Sequence, residues 1–124
     1  MGDITIHFTH YQSEEEAVRA WKDRSKRIDI NNMFVFLEER DGLTKEDIIQ
    51  LGNIHARGLV VFTAHAYPDI PYTLQILKYE CDGEVGNILR KSYWDDHREY
   101  EEYFDFVKWF NEANGDFDIR QFAK

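Results

Sequence analysis

Residues 33–64, MFVFLEERDGLTKEDIIQLGNIHARGLVVFTA, decide the fold. The opening MFVFL is a short, continuous apolar run, as expected of a strand buried on both faces. Asp41-Gly42 is a turn. Thr44 and Asp47 stand three positions apart as a capping pair, and KEDIIQLGNI reads as a short helix closed near Gly52-Asn53. GLVVFTA, from Gly58, is another apolar run rich in β-branched residues and reads as a further strand.

Upstream, residues 3–9 alternate apolar and polar, with Ile4, Ile6 and Phe8 on one side, and predict a strand. Ser13 stands three residues before Glu16 in a capping-box spacing, so a helix is expected from about Glu14. Ala17, Trp21 and Ile28, with Val18 beside them, form its apolar face, and Arg19, Lys22, Lys26 and Arg27 the opposite one. Strand, helix, strand, helix, strand at these lengths predicts a mostly parallel sheet with right-handed crossovers. The expected fold is therefore α/β and three-layered, with a βαβαβ start, in a single domain spanning residues 1–124.

Downstream, AHAYPDIPY holds both prolines and reads as a loop, followed by TLQILKYE as a strand and Asp82-Gly83 as a turn. EVGNILRKSY carries no clear pattern. DDHREYEEYFDFVKWFNEANG predicts a closing helix with a stripe of Tyr100, Tyr103, Phe104, Val107 and Phe110, ended by Gly115.

The formal net charge of −9 repels phosphate backbones and anionic lipids, so nucleic acid is not an expected partner. The aromatic and apolar content is that of a chain that folds. The apolar runs are too short to span a membrane, and a cytoplasmic protein is the expectation. Cys81, the only cysteine, has no internal disulfide partner. G-x-S-x-G, Walker and G-x-G-x-x-G patterns are absent, which removes the usual sequence warrant for a hydrolase elbow, an NTPase or a dinucleotide enzyme.

In open parallel sheets, ligands bind beyond the carboxyl ends of the strands, where loops and helix starts converge. Here those ends deliver His10 and Tyr11, then Glu38, Glu39, Arg40 and Asp41, then Thr63, His65 and Tyr67. The enzymatic expectation assigns acid/base work to His10 or His65, with Asp41 orienting an imidazole. Arg24 or Arg40 would hold an anionic group of the substrate, with Tyr11, Thr63 and Tyr67 as further binding residues. A metal shared by His7 and His10 requires the strand to end between them, because i and i+3 on a strand face opposite ways; no metal is expected.

The ordered motifs IHFTHYQSEEEAVRAWKDRSKRIDINNMFVF, RDGLTKEDI, VVFTAHAYPDI, EVGNI and YFDFVKW resemble the bacterial family of exopolysaccharide biosynthesis proteins, a domain of unknown function, from Asp3 through Trp109. The resemblance implies an α/β fold and an association with surface-polysaccharide gene sets. The family pattern includes His7, His10, Tyr11, Arg24, Arg40, Asp41 and Tyr67. Leu43 departs from it, standing where a cysteine often follows the Asp-Gly pair, and family members carry a further N-terminal region with an Asn- and Cys-containing segment. Two expectations follow. One is an enzyme or accessory factor acting on an activated sugar, such as a sugar nucleotide, or on a glycan intermediate. The other is a non-catalytic ligand-binding or assembly module, a homo-oligomer using the aromatics of SYWDDHREYEEYF.

Overall fold

A computed structural model of the chain describes residues 10–90 and 98–124. The strand expected at residues 3–9 lies outside them, as do His7 and part of the aromatic segment after Arg90. The described elements run α1 (Glu14–Ser25), β1 (Phe34–Glu38), α2 (Lys45–Leu51), β2 (Gly58–Thr63), β3 (Thr73–Gln75) and α3 (Phe106–Glu112), with 3-10 turns at Ile30–Asn32, Leu77–Tyr79 and Glu99–Glu102. The fold is mixed α/β.

Three strands form one sheet in the order β1-β2-β3, and both pairings are parallel. Phe34 aligns with Gly58 and Glu38 with Phe62, while Val61 aligns with Thr73. Every residue of β2 is buried, which is what an unbroken Leu59–Val60–Val61–Phe62 run requires of a central strand. Between β1 and β2 the chain passes through α2, whose capping box closes as its sequence predicts. The Asp47 N–H donates to Thr44 Oγ1 at 3.2 Å, and the Thr44 N–H donates to Asp47 Oδ2 at 3.0 Å. Ile48 on this helix is fully buried.

The other core layer is aromatic. Trp109 of α3 meets the Phe34 ring edge-on at 4.9 Å between centroids and the Phe104 ring at 5.5 Å. Gly58 is where β2 passes beneath this layer. A Cβ there would stand 2.7 Å from Trp109 Cζ2 and 2.8 Å from Phe34 Cδ1, so a larger residue would displace one of the rings.

Three elements differ from the sequence expectation. On α1 Ala17 is buried but Trp21 is 52% exposed, and the helix ends at Ser25, before Ile28, which is 60% exposed, so only one small residue of the expected apolar face is covered. TLQILKYE is strand only over Thr73–Gln75 and then tightens into a 3-10 turn. The closing helix starts late: Asp105 accepts the Lys108 N–H at 2.9 Å as an N-cap, and α3 begins at Phe106. This shifts the inward face to Phe106 and Trp109 and leaves Val107 exposed.

Candidate active site

β1 and β2 end side by side. Strand alternation places Val35, Leu37 and Glu39 on one face of the sheet and Phe34, Phe36 and Glu38 on the other. Glu39 continues the ladder one residue beyond β1, its N–H donating to Phe62 O at 2.8 Å. Its side chain turns inward and is only 5% exposed.

Four donors converge on that carboxylate. The backbone N–H groups of Ala64 and His65 donate to Oε2 at 2.8 and 3.1 Å. The His65 Nδ1 lies 3.0 Å from Oε1, and the Tyr67 hydroxyl donates to the same oxygen at 2.5 Å. Burial pushes the Glu39 carboxyl up, but the Tyr67 hydroxyl and the amides and imidazole of the 64–65 turn outweigh it, and the net shift is downward. An ionised carboxylate only accepts hydrogen bonds, so Nδ1 carries a proton, and in the neutral ring Nε2 is the nitrogen that presents a lone pair. The His65 side chain is 54% exposed, so an imidazole open to solvent is anchored on a buried carboxylate. Burial, then the hydrogen bond to Glu39, pushes the Tyr67 hydroxyl up to about 12 and keeps it a donor.

The turn that carries His65 is itself pinned. Thr63 is fully buried, and its Oγ1 donates to His65 O at 2.7 Å. From β3, Gln75 Nε2 donates to Ala64 O at 3.1 Å. Lys45, the first residue of α2, places its ammonium 5.7 Å from the centre of the Tyr67 ring.

His65, Thr63 and Tyr67 are thus brought together, with Thr63 supporting the turn through its hydroxyl. Arg40 and Asp41 lie on the exposed turn after β1, paired with each other at 3.1 Å, and Arg40 also reaches Glu38 at 3.4 Å. Asp41 has φ 55°, a left-handed geometry that Asp tolerates. Tyr11, just before α1, and Arg24 on it form a second group, the guanidinium 5.9 Å from the Tyr11 ring centre, in a hollow shared with Trp21, Ser25 and Ile28. His10 is exposed beside them in sequence. The carboxylate that meets His65 is Glu39, two residues before Asp41. The alternation Val35, Leu37, Glu39 is the sequence signal for it, because it puts a carboxylate on a face that is otherwise apolar. Glu38 Oε1 is buried and has no hydrogen-bond partner among the described residues. Among the described residues no group of three or more His, Cys, Asp and Glu side chains is placed to hold a metal ion.

A parallel α/β sheet with an imidazole, a carboxylate and a phenol gathered where two strands end defines the class: an α/β domain with a polar cluster at the carboxyl edge of its strands. Within that class, the chain belongs to the family described as "Domain of unknown function (DUF1919)", whose model matches residues 1–111. It is also 37% identical over 113 residues to an "Uncharacterized protein" of Haemophilus influenzae, a match covering 91% of this chain and 54% of the relative. The chain therefore spans about half the length of that relative. No solved structure matches. No described helix is long and apolar enough to cross a membrane.

Proposed function

We propose that this protein binds an activated sugar or glycan intermediate at the carboxyl edge of β1 and β2 and moves a proton on it through His65, as an enzyme or accessory factor of surface-polysaccharide biosynthesis. The observation that carries the proposal is the solvent-open imidazole whose Nδ1 is held 3.0 Å from a carboxylate that is 5% exposed. A buried carboxylate costs free energy unless its partners compensate, and here its charge fixes the tautomer that leaves Nε2 as the base. Nε2 takes the proton of a substrate hydroxyl as that oxygen bonds to the anomeric carbon of the activated sugar, and the bond from that carbon to the phosphoryl oxygen breaks with its electron pair leaving on the phosphate. Glu39 stabilises the imidazolium until Nε2 gives its proton up to the departing phosphate or to water. Lys45 supplies a positive charge for the phosphoryl part of an activated sugar. The polysaccharide context rests on the motif resemblance from Asp3 through Trp109.

A thermal-shift screen against nucleotide sugars, sugar 1-phosphates and free nucleotides tests this reading. Binding to the native state at 100 times Kd adds about 2.7 kcal/mol, a rise of several degrees in Tm. An activated sugar is expected to give that rise, and His65→Gln is expected to keep it while slowing turnover by about 10²–10⁴-fold. A screen in which no activated sugar moves Tm, or a His65→Gln protein with undiminished turnover, contradicts it.

The assembly-module reading draws on Phe36, Val107 and Phe110, which are exposed, with Val107 at 73%. It is favoured if the protein elutes as an oligomer and substitution of these three by serine releases monomer.

A further inference from the structure

Tyr67 has two sides. Its hydroxyl reaches Glu39, and the residue also lines a hollow of about 450 Å³, with Pro68, Asp69, Pro71 and Arg120 among the other lining residues. That volume lies within the range of small-molecule pockets. The wall is held in place from within: the Thr73 hydroxyl donates to Ile70 O at 2.8 Å and to Tyr67 O at 3.2 Å, and the Ile119 N–H donates to Pro71 O at 3.2 Å.

The charge of the hollow decides what it accepts. Arg120 is clamped by Asp118, with Nε 2.8 and 2.9 Å from the two carboxylate oxygens and Nη2 on one of them. The guanidinium holds the Asp118 carboxyl down at about 2, so the pair stays ionised and sums to zero. Asp69 then leaves the group of Asp69, Arg120 and Asp118 net negative, in a chain whose formal charge is already −9, and the Lys45 ammonium, 5.7 Å from the Tyr67 ring centre, is not among the lining groups. A phosphate or carboxylate is repelled there. What remains attractive is an uncharged ligand with several hydroxyls: the Asp69 carboxylate can accept from them, Arg120, whose Nη1 makes no hydrogen bond among the described residues, can donate to them, and Tyr67 and the two prolines offer apolar surface to C–H groups.

We infer that this hollow is the subsite for an uncharged sugar ring, lying beside His65 and separate from the place where Lys45 receives a phosphoryl group. The His65 and Tyr67 rings are 6.2 Å apart between centroids, so Tyr67 is the residue shared by the hollow and the His65 cluster. The inference rests on the reading of this edge as an activated-sugar site and adds which part of the ligand goes where.

Amide chemical-shift titration of the full ¹⁵N-labelled chain tests it, with methyl glucoside, methyl galactoside and methyl N-acetylglucosaminide as neutral probes and inorganic phosphate as the anionic one. At least one pyranoside is expected to shift the amides of Asp69, Ile70 and Thr73, and phosphate is not. Asp69→Ala is expected to weaken that pyranoside about tenfold or more, the loss of a hydrogen bond to a charged group, and Arg120→Gln to weaken it as well. The subsite is overturned if no pyranoside moves these amides, if phosphate moves them at lower concentration, or if both variants bind as the parent does. Pyranoside shifts in a protein that no activated sugar stabilises would leave the subsite standing and remove the proton-transfer reading. Stabilisation by activated sugars without pyranoside shifts at these amides would do the reverse.

Discussion

Glu39→Ala is expected to cost about 3 kcal/mol of folding stability, read as a lower denaturant midpoint with an unchanged slope. The carboxylate accepts from the Ala64 and His65 amides, the imidazole and the Tyr67 hydroxyl. His65 can turn its ring to water, but the Ala64 N–H is buried and has no other acceptor among the described residues. Glu39→Gln keeps the shape and turns an NH₂ group towards donors, so it too destabilises, by about 2 kcal/mol. The same group gives the protein an acid limb. Its carboxyl lies below the ordinary range in the folded chain, so its contribution is fully present above the unfolded value of about 4.3 and is lost as pH falls through that value towards the folded one. The loss of stability on acidification is therefore expected to be shallower in Glu39→Gln than in the parent. Equal acid limbs in the two proteins would mean that Glu39 is not held ionised by its neighbours.

Trp109→Ala is the second large effect, expected at about 3–5 kcal/mol. The indole is 1% exposed and meets Phe34, Phe104 and Phe106 edge-on, with centroids 4.9, 5.5 and 5.6 Å away. It also closes over Gly58, where the strand carries no side chain to fill a void. A domain of this size holds roughly 5–15 kcal/mol in total, so the variant should show a broad loss of near-ultraviolet aromatic signal and a Tm lowered by ten degrees or so. A loss below about 1 kcal/mol would mean that the aromatic layer collapses to fill the space, and that α3 does not hold β1 against β2.

The parallel sheet was legible because its cues are local. The apolar runs before Glu38 and after Gly58 admit little but strands, although only the second is buried throughout and Phe36 of the first is 44% exposed, and the Thr44–Asp47 pair marks a helix start by chemistry that needs only three residues. The C-terminal helix was legible in kind and not in phase. The stripe through Val107 and Phe110 assumes a helix continuous from residue 95, whereas Asp105 caps a new one, and a single competing cap rotates the inward face to Phe106 and Trp109. For α1, periodicity reported a face that the described residues bury only at Ala17. At the site, the strand-end rule led to His65, Thr63 and Tyr67, because topology alone brings them to one edge. It favoured Asp41 as the orienting carboxylate because residues beside a turn look available. The buried Glu39 is set by strand alternation, which separates it from its neighbour Glu38 by one face of the sheet.

The central claim is that Glu39 fixes His65 with its proton on Nδ1 and its lone pair on Nε2. Long-range ¹H–¹⁵N correlation spectra of the imidazole rings read this directly. The account predicts that the neutral ring of His65 shows a pyrrole-type Nδ1 and a pyridine-type Nε2, and that Glu39→Gln weakens or reverses this preference. A neutral His65 ring protonated on Nε2 in the parent protein would contradict it.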